Sequence, residues 1–411
     1  MKICIITYTY SPHMLGGADI YAEKISKELA KESNNVIVIT INPDKRDFIE
    51  KKNNLKIYRF HPLNIFTFYN VCTEKKSIIE KGIWAFLDFY SPYSYKKIKD
   101  ILKKEKPDVV HIHTPIGVTL SAFDAVKSLK LPLVFTLHDY LSLCRRATLL
   151  HNSGKICTDR NINPICKAYR EFSKRIINSK PDIVIGNSKF TLNLHTKNGF
   201  FRNSKKIVEY CGIKLDNFDN SGDIKVNNKG AINILYVGGL AKHKGVHILI
   251  KAFKPIKNKN IRLHIVGGGA YENELKYLAR NDKRIIFYGK LPNEEIQKYY
   301  KSSEFLVVPS ISYESLGIIT QEAFRVGTPV IGSRIGGIPE IIKDNYNGFL
   351  FEAGNVNQLK EILENIIENP GQLKELGKNA KESVKKYEMS KHIKKLIEIY
   401  KEAIEINKIR K

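Results

Sequence analysis

Two carboxylates, Glu314 and Glu322, stand eight positions apart in the segment EFLVVPSISYESLGIITQEAFRVGTPVIGSRIGGIPEII. Glu314 falls in a loop just past an apolar strand, Phe305–Pro309, and Glu322 falls on the helix that follows. Between them, Leu316–Ile319 is expected to open that helix. The free N–H groups of a helix start can receive an anion. Carboxylates accept hydrogen bonds from sugar hydroxyls. Two such acceptors flanking a phosphate site suit a sugar joined to a nucleotide diphosphate.

A second cluster lies in YVGGLAKHKG, Tyr236–Gly245, where a glycine-rich turn after a strand lets the backbone approach a phosphate. Gly16 and Gly17 precede an amphipathic helix near the start of the chain. His138 and Asp139 end a strand in TLHD, and His111 and His113 end another in VVHIHTP. The two earlier histidines are expected to shape an acceptor side or simply to pack. Gly267–Gly269 looks like a dinucleotide fingerprint, but Glu272 stands where the third glycine belongs, so the turn reads as strand-to-helix packing. No Asp-x-Asp occurs anywhere in the chain.

The elements that must position these groups follow from periodicity. The opening reads strand (Lys2–Tyr8), glycine loop, helix (Ala18–Lys31), strand (Val36–Ile41). Further strands are expected at Lys56–Phe60, Asp108–His113, Leu133–Leu137, Asp182–Gly186 and Lys206–Tyr210. Strands alternating with helices imply a parallel sheet covered on both faces. Asp216–Gly230 is polar and rich in Asn, Asp and Gly, as in a linker. A second alternation begins after it, with strands at Ile232–Val237, Arg262–Val266, Ile285–Tyr288, Phe305–Pro309 and Pro329–Gly332. The fold class is therefore α/β, with two doubly wound Rossmann-like domains expected to face each other across a cleft. Their expected bounds are 1–212, a linker at 213–230, a second domain at 231–385, and a helix at 386–411 packing back on the first domain. Ligands of such sheets bind outside the carboxyl ends of the strands.

With these motifs in place, the chain resembles the retaining glycosyltransferases of family 4, which have the GT-B fold. The resemblance covers nearly the whole chain and is most specific in ESLGIITQE, AFRVGTPVI and GGIPE. It implies that Glu314 contacts the donor sugar and Glu322 the ribose hydroxyls. The backbone of Leu316, Gly317, Ile318 and Ile319 would hold sugar and phosphate. Lys244 matches the family lysine that binds the diphosphate, and Gly239 stands where the family usually has Arg, with Lys242 or His243 nearby to supply that charge. Gly16 and Gly17 match a loop that touches the donor phosphates, and His138 matches a histidine close to the reacting sugar. Gly289, Lys290 and Leu291 match a segment whose backbone reads the base. The resemblance further implies catalysis by His138, Lys244 and Glu314 without a metal, and domain closure bringing Gly17 and His138 against Lys244, Glu314 and Glu322. Retention implies front-face attack, with the leaving phosphate helping to deprotonate the acceptor. No cofactor is expected beyond the nucleotide diphosphate-sugar substrate. The alternative reading, motivated by Gly239, is a non-catalytic nucleotide-sugar-binding subunit of a glycan-assembly complex.

Composition bounds the partners. At 411 residues, two domains are the default. The opening MKICIITYTY reads as a first strand, and the six scattered cysteines fit a reducing cytosol better than a disulfide scaffold. The formal charge of +26 has two readings: a Lys/Asn/Ile compositional bias on solvated faces, or attraction to an anionic membrane surface or glycolipid. No nucleic-acid-binding motif is present, and no nucleic-acid partner is expected. Phe60–Tyr95 is aromatic-rich and precedes six lysines, a pattern that suits either bilayer docking or a core with a solvated lysine face. The expected partners are a nucleotide-sugar and a glycan or lipid-linked acceptor, with the protein cytoplasmic and an anionic membrane surface open as a further partner at the inner face of the cell membrane. Cys144, His151, Cys157 and Cys166 could hold zinc, but their spacings are long and reduced thiols are the preferred reading. Arg145 and Arg146 are candidates for an acceptor phosphate.

Overall fold

The computed structural model describes residues 1–44, 46–74, 76–151, 154–157, 161–215 and 231–410. The expected linker Asp216–Gly230 lies outside the described residues. Two compact units emerge: Met1–Leu149 with Cys157–Cys211 and Ser390–Lys411, and Gly212–Met389 with Leu150–Ile156.

The first unit is built on eight strands: β1 (Lys2–Ile6), β2 (Asn35–Ile41), β3 (Phe48–Lys52), β4 (Leu55–Phe60), β5 (Val109–Ile112), β6 (Leu133–Leu137), β7 (Ile183–Gly186) and β8 (Lys205–Val208). They lie in the order β3-β4-β2-β1-β5-β6-β7-β8. Every neighbouring pair is parallel except β3 with β4. Strands covered on both faces read as unbroken apolar runs, which is why KICII and NVIVITI were legible. β3 was missed because FIEKK is largely exposed and charged, as an edge strand should be. Helix Gly17–Lys31 buries Tyr21, Ala22, Ile25 and Leu29 against this sheet. Helix Met389–Ile409 buries Ile393, Leu396, Tyr400 and Ala403 at helical spacing. The hydroxyl of Tyr400 lies 2.8 Å from Nδ1 of His111 on β5, which ties this helix into the first unit.

The second unit carries β9 (Ile232–Val237), β10 (Ile261–Val266), β11 (Ile285–Gly289), β12 (Phe305–Val308), β13 (Val330–Ser333) and β14 (Gly348–Phe351). All are parallel, in the order β11-β10-β9-β12-β13-β14. The chain thus winds one way from β9 to β11, then returns and winds the other way from β12. The winding reverses between β9 and β12. These two strands pair only through Phe305 with Ile234 and Leu306 with Leu235. Beyond those two pairs the carboxyl end of β9 is bonded to β10 and that of β12 to β13. β14 was not expected because GFLF is short and follows a turn. Among the described residues no helix is long and apolar enough to cross a membrane.

Candidate active site

The loops after β9 and β12 flank the reversal point of the second sheet, where ligands of this architecture sit. The β9 loop is fixed from behind. Tyr236 donates its hydroxyl to the Gly239 carbonyl at 3.0 Å, and the Gly238 and Leu240 N–H groups donate to Val266 and Gly268. The Gly267–Gly269 turn therefore backs this loop, consistent with a packing role. The loop closes in a single 3-10 turn, Lys242–Lys244, ended by Gly245. Gly245 has φ +73°, and a Cβ there would lie 1.7 Å from the Pro309 carbonyl oxygen. Only glycine lets the two loops meet. The Ile311 N–H then donates to the His243 carbonyl at 2.9 Å.

That contact brings the chemistry together. Lys244 Nζ donates to Glu314 Oε1 at 2.7 Å, and Ser310 Oγ lies 2.6 Å from the same oxygen. Ser333 holds the Ser310 carbonyl at 2.7 Å. Behind Glu314 stands the GGIPE segment. The Gly337 N–H donates to the Glu314 carbonyl at 2.8 Å, and a Cβ at Gly336 would come within 2.3 Å of that oxygen. Burial raises the Glu314 pKa, but the Lys244 charge and hydrogen bond, aided by Ser310, outweigh it and hold the carboxyl below its usual range. Glu314 is therefore ionised at neutral pH. Burial, reinforced by the Lys244 charge, lowers the pKa of His243. That ring stays neutral and supplies no cation.

The remaining second-unit residues are placed as follows. Helix Ile318–Val326 starts at Gly317 with no side-chain cap; the Thr320 N–H donates to the Gly317 carbonyl at 2.9 Å, and the N–H groups ahead of it meet no capping side chain. The helix begins two residues later than expected, and Leu316 is buried, so only its backbone is available. Glu322 is half-buried and accepts from Tyr300 Oη at 3.2 Å. Gly239 is exposed, with nothing within 4 Å of where its Cβ would stand. Gly289 ends β11, Lys290 is exposed and Leu291 half-buried.

In the first unit, Gly16 and Gly17 are exposed at the N-terminus of their helix, and Gly16 is in extended backbone with open space around it. His138 is buried against His113, with Nε2 lying 2.9 Å from His113 Nδ1. Burial pushes the His138 pKa down to about 3, so it is a neutral hydrogen-bonding group and not an acid. Asp139, beside it, is pushed up to about 6 by burial, against the Leu141 N–H that it accepts. Cys166 lies on helix Pro164–Ile177. Cys144, Cys157 and Cys166 are free thiols, and among the described residues no group of three potential ligands could hold a metal.

Ser310 and Tyr300, which bond Glu314 and Glu322, were missed and carry no spacing signal of their own. His113 was expected to shape an acceptor side or to pack, and what its position at a strand end did not tell was its bond to His138, which directly follows the neighbouring strand.

The profile described as Glycosyltransferase Family 4 matches residues 15–217, and that described as Glycosyl transferases group 1 matches residues 218–383. An uncharacterized glycosyltransferase of Methanocaldococcus jannaschii is 30% identical over 354 residues, covering 85% of this chain and 91% of that one. The chain belongs to the family 4 glycosyltransferases. Solved structures agree on the fold. Sucrose-phosphate synthase from Thermosynechococcus elongatus superposes with TM-score 0.76 at 20% identity, covering 98% of each chain. An Anabaena protein in complex with UDP-glucose gives TM-score 0.71 at 17% identity, covering 98% of this chain and 100% of that one. This glycosyltransferase thus has the GT-B type of architecture, two parallel-dominated α/β sheets.

Proposed function

We propose that this glycosyltransferase moves a hexose-type sugar, with retention and without a metal, from a nucleotide diphosphate-sugar to a glycan or lipid-linked acceptor. The observation that carries this reading is the Lys244–Glu314 contact at 2.7 Å, at the reversal point of the second sheet. A cation and a sugar-hydroxyl acceptor there suit a donor whose diphosphate gains charge as the glycosidic bond breaks. Lys244 and the uncapped helix start at Gly317 meet that charge. Glu314 and Glu322 accept hydroxyls of the sugar and the ribose. The acceptor oxygen bonds the anomeric carbon on the face from which the phosphate leaves, and its proton passes to a leaving phosphate oxygen. The Anabaena neighbour, solved with UDP-glucose, supports a donor of that class, and retention rests on family likeness.

Assembly of a surface polysaccharide or glycolipid is the pathway proposed. Helix Ile78–Leu87 supports it, because it exposes Ile79 (72%) and Phe86 (81%) on a chain of net charge +26. Such a face suits the inner leaflet of an anionic membrane. Co-sedimentation with anionic vesicles should fall when Ile79 and Phe86 become Ser. Unchanged sedimentation would remove the membrane from the proposal.

Gly239 favours a second reading, a subunit that binds nucleotide-sugar without turning it over, since neutral His243 does not replace the usual Arg. Nucleotide release from UDP-, GDP-, ADP- and dTDP-sugars separates the two. Release from one donor that vanishes in Glu314→Ala supports the enzyme. Thermal stabilisation by a nucleotide without release, even with glycan or lipid-linked acceptors present, supports the binding subunit.

A further inference from the structure

His113 follows β5 and His138 follows β6, neighbouring strands of the first sheet. Their ring centroids lie 5.2 Å apart with 26° between planes, the two rings meeting nearly edge to edge. His113 Nδ1 lies 2.9 Å from His138 Nε2, a single hydrogen bond. Burial lowers the pKa of both rings, so both are neutral and one proton sits in that bond. Its direction is not arbitrary, because the outer nitrogens differ. His113 Nε2 is buried with no partner. His138 Nδ1 has no partner among the described residues either, but it is not among the buried polar atoms, and the residue keeps 8% exposure.

Two arrangements are open. If His138 donates, His113 must carry its proton on Nε2, a buried N–H with no acceptor. If His113 donates, its Nε2 is left with only an unused lone pair. Orphaned buried N–H groups are the rarer of the two. The neighbours hold the pair in place. The Tyr21 ring stands 5.7 Å from His113 and 5.2 Å from His138. The Tyr21 hydroxyl bonds His392 Nε2, whose Nδ1–H points to Glu209 Oε1 at 2.7 Å.

We propose that His113 is a positioning residue, which donates to His138 and holds it as the Nδ1–H tautomer. His138 then presents a hydrogen-bond donor outward, to an oxygen of the substrate. The tautomer follows from the geometry alone, whereas its use on substrate rests on the proposed function.

The test is nitrogen NMR of the full chain labelled with 15N-histidine, with His138 assigned by the signal lost in His138→Gln. The expected result is a neutral His138 protonated on Nδ1. Asn at position 113 can place an amide N–H where Nδ1 stood, so His113→Asn should keep that tautomer. His113→Leu should lose it, and with the identified donor it should lower kcat roughly 10- to 100-fold while KM stays near its starting value. A wild-type His138 protonated on Nε2 overturns the proposal, even if His113→Leu does not fold. An Nδ1–H tautomer unchanged in a folded His113→Leu overturns it too. The NMR needs no donor, so a confirmed tautomer with no nucleotide release would count against the proposed function and not against His113.

Discussion

Both units place polar side chains at the carboxyl ends of parallel strands, yet the two groups are built on opposite principles. In the second unit Lys244 and Glu314 are partly exposed, and Glu314 keeps its charge because the Lys244 contact outweighs its desolvation. In the first unit His111, His113 and His138 are buried without a counter-charge and are held neutral. On the proposed function, the charged pair would act through field strength and the histidine group through the direction of its hydrogen bonds. Deleting a charge should therefore dominate in the second unit, whereas hydrogen-bond geometry and pH should dominate in the first.

The largest effect should come from the charged pair. Lys244→Ala removes the cation proposed to face the diphosphate and leaves Glu314 without its counter-charge. Turnover should fall roughly 100- to 1000-fold, with Glu314→Ala in the same range. Steady-state release of nucleotide measures this. Loss of less than about tenfold in either variant would break the comparison.

Glu314 was legible because it falls just past an apolar strand, whereas Lys244 was picked out by its match to the family lysine after a glycine-rich turn. Apolar runs such as Ile232–Val237 and Leu133–Leu137 were placed to the residue, since strands buried on both faces leave a plain signature. β3 and β14 left none, one being an exposed edge and the other only four residues long. The site's supporting groups were harder to read. Ser310 acts on Glu314 because of a loop conformation, and His113 meets His138 because β5 and β6 are neighbours. Strand order and loop conformation arise from tertiary packing, which a linear pattern does not carry.

The histidine side of the comparison can be broken by acid. A histidine whose folded pKa is depressed favours the unfolded chain, which takes up a proton as pH falls below about 6.5. His111 and His113 are held well below that value, His138 at about 3 and His195 at about 4, all by burial. Three carboxyls act in the opposite sense. Burial raises Asp19, takes Asp88 to about 8 and Asp139 to about 6, so the folded unit holds up to three protons that the unfolded chain gives up above about pH 4. Four uptakes against at most three leave at least about one net proton, or about 1.4 kcal/mol of stability lost per pH unit between about 6 and 4. The single tryptophan, Trp84, lies in this unit beside Phe68 and reports on it alone. Its fluorescence melting temperature should fall across that range. The Glu314 contribution has a lowered folded pKa, so it is present above about pH 4.3 and is lost only as pH falls through that lower value. A Trp84 transition that does not move between pH 6 and 4 would contradict the neutral, uncompensated picture.

A smaller effect should separate binding from chemistry within the second unit. Glu322 accepts a hydrogen bond from Tyr300, whereas Lys244 bonds Glu314. Glu322→Gln should raise the donor KM about tenfold and leave kcat within about twofold. A kcat loss as large as that of Glu314→Ala would place Glu322 in the chemistry and blur the division.

The smallest expected effect is a gain. If the second unit works by charge, restoring a missing charge should help, and Gly239 is where the family usually carries Arg. Nothing lies within 4 Å of a Cβ built there, and its φ lies outside the region that favours glycine, so a side chain fits. The position is exposed, so screening limits what an added guanidinium contributes. Gly239→Arg should raise turnover roughly threefold to tenfold, through a two-pronged contact to a phosphate. The gain should shrink as salt rises, because an exposed charge acts through a screened field. A gain that ignores salt would point to loop stiffening in place of charge. A loss would mean that this turn is kept bare for a donor that leaves no room for a side chain, and the second unit would then select by shape as well as by field.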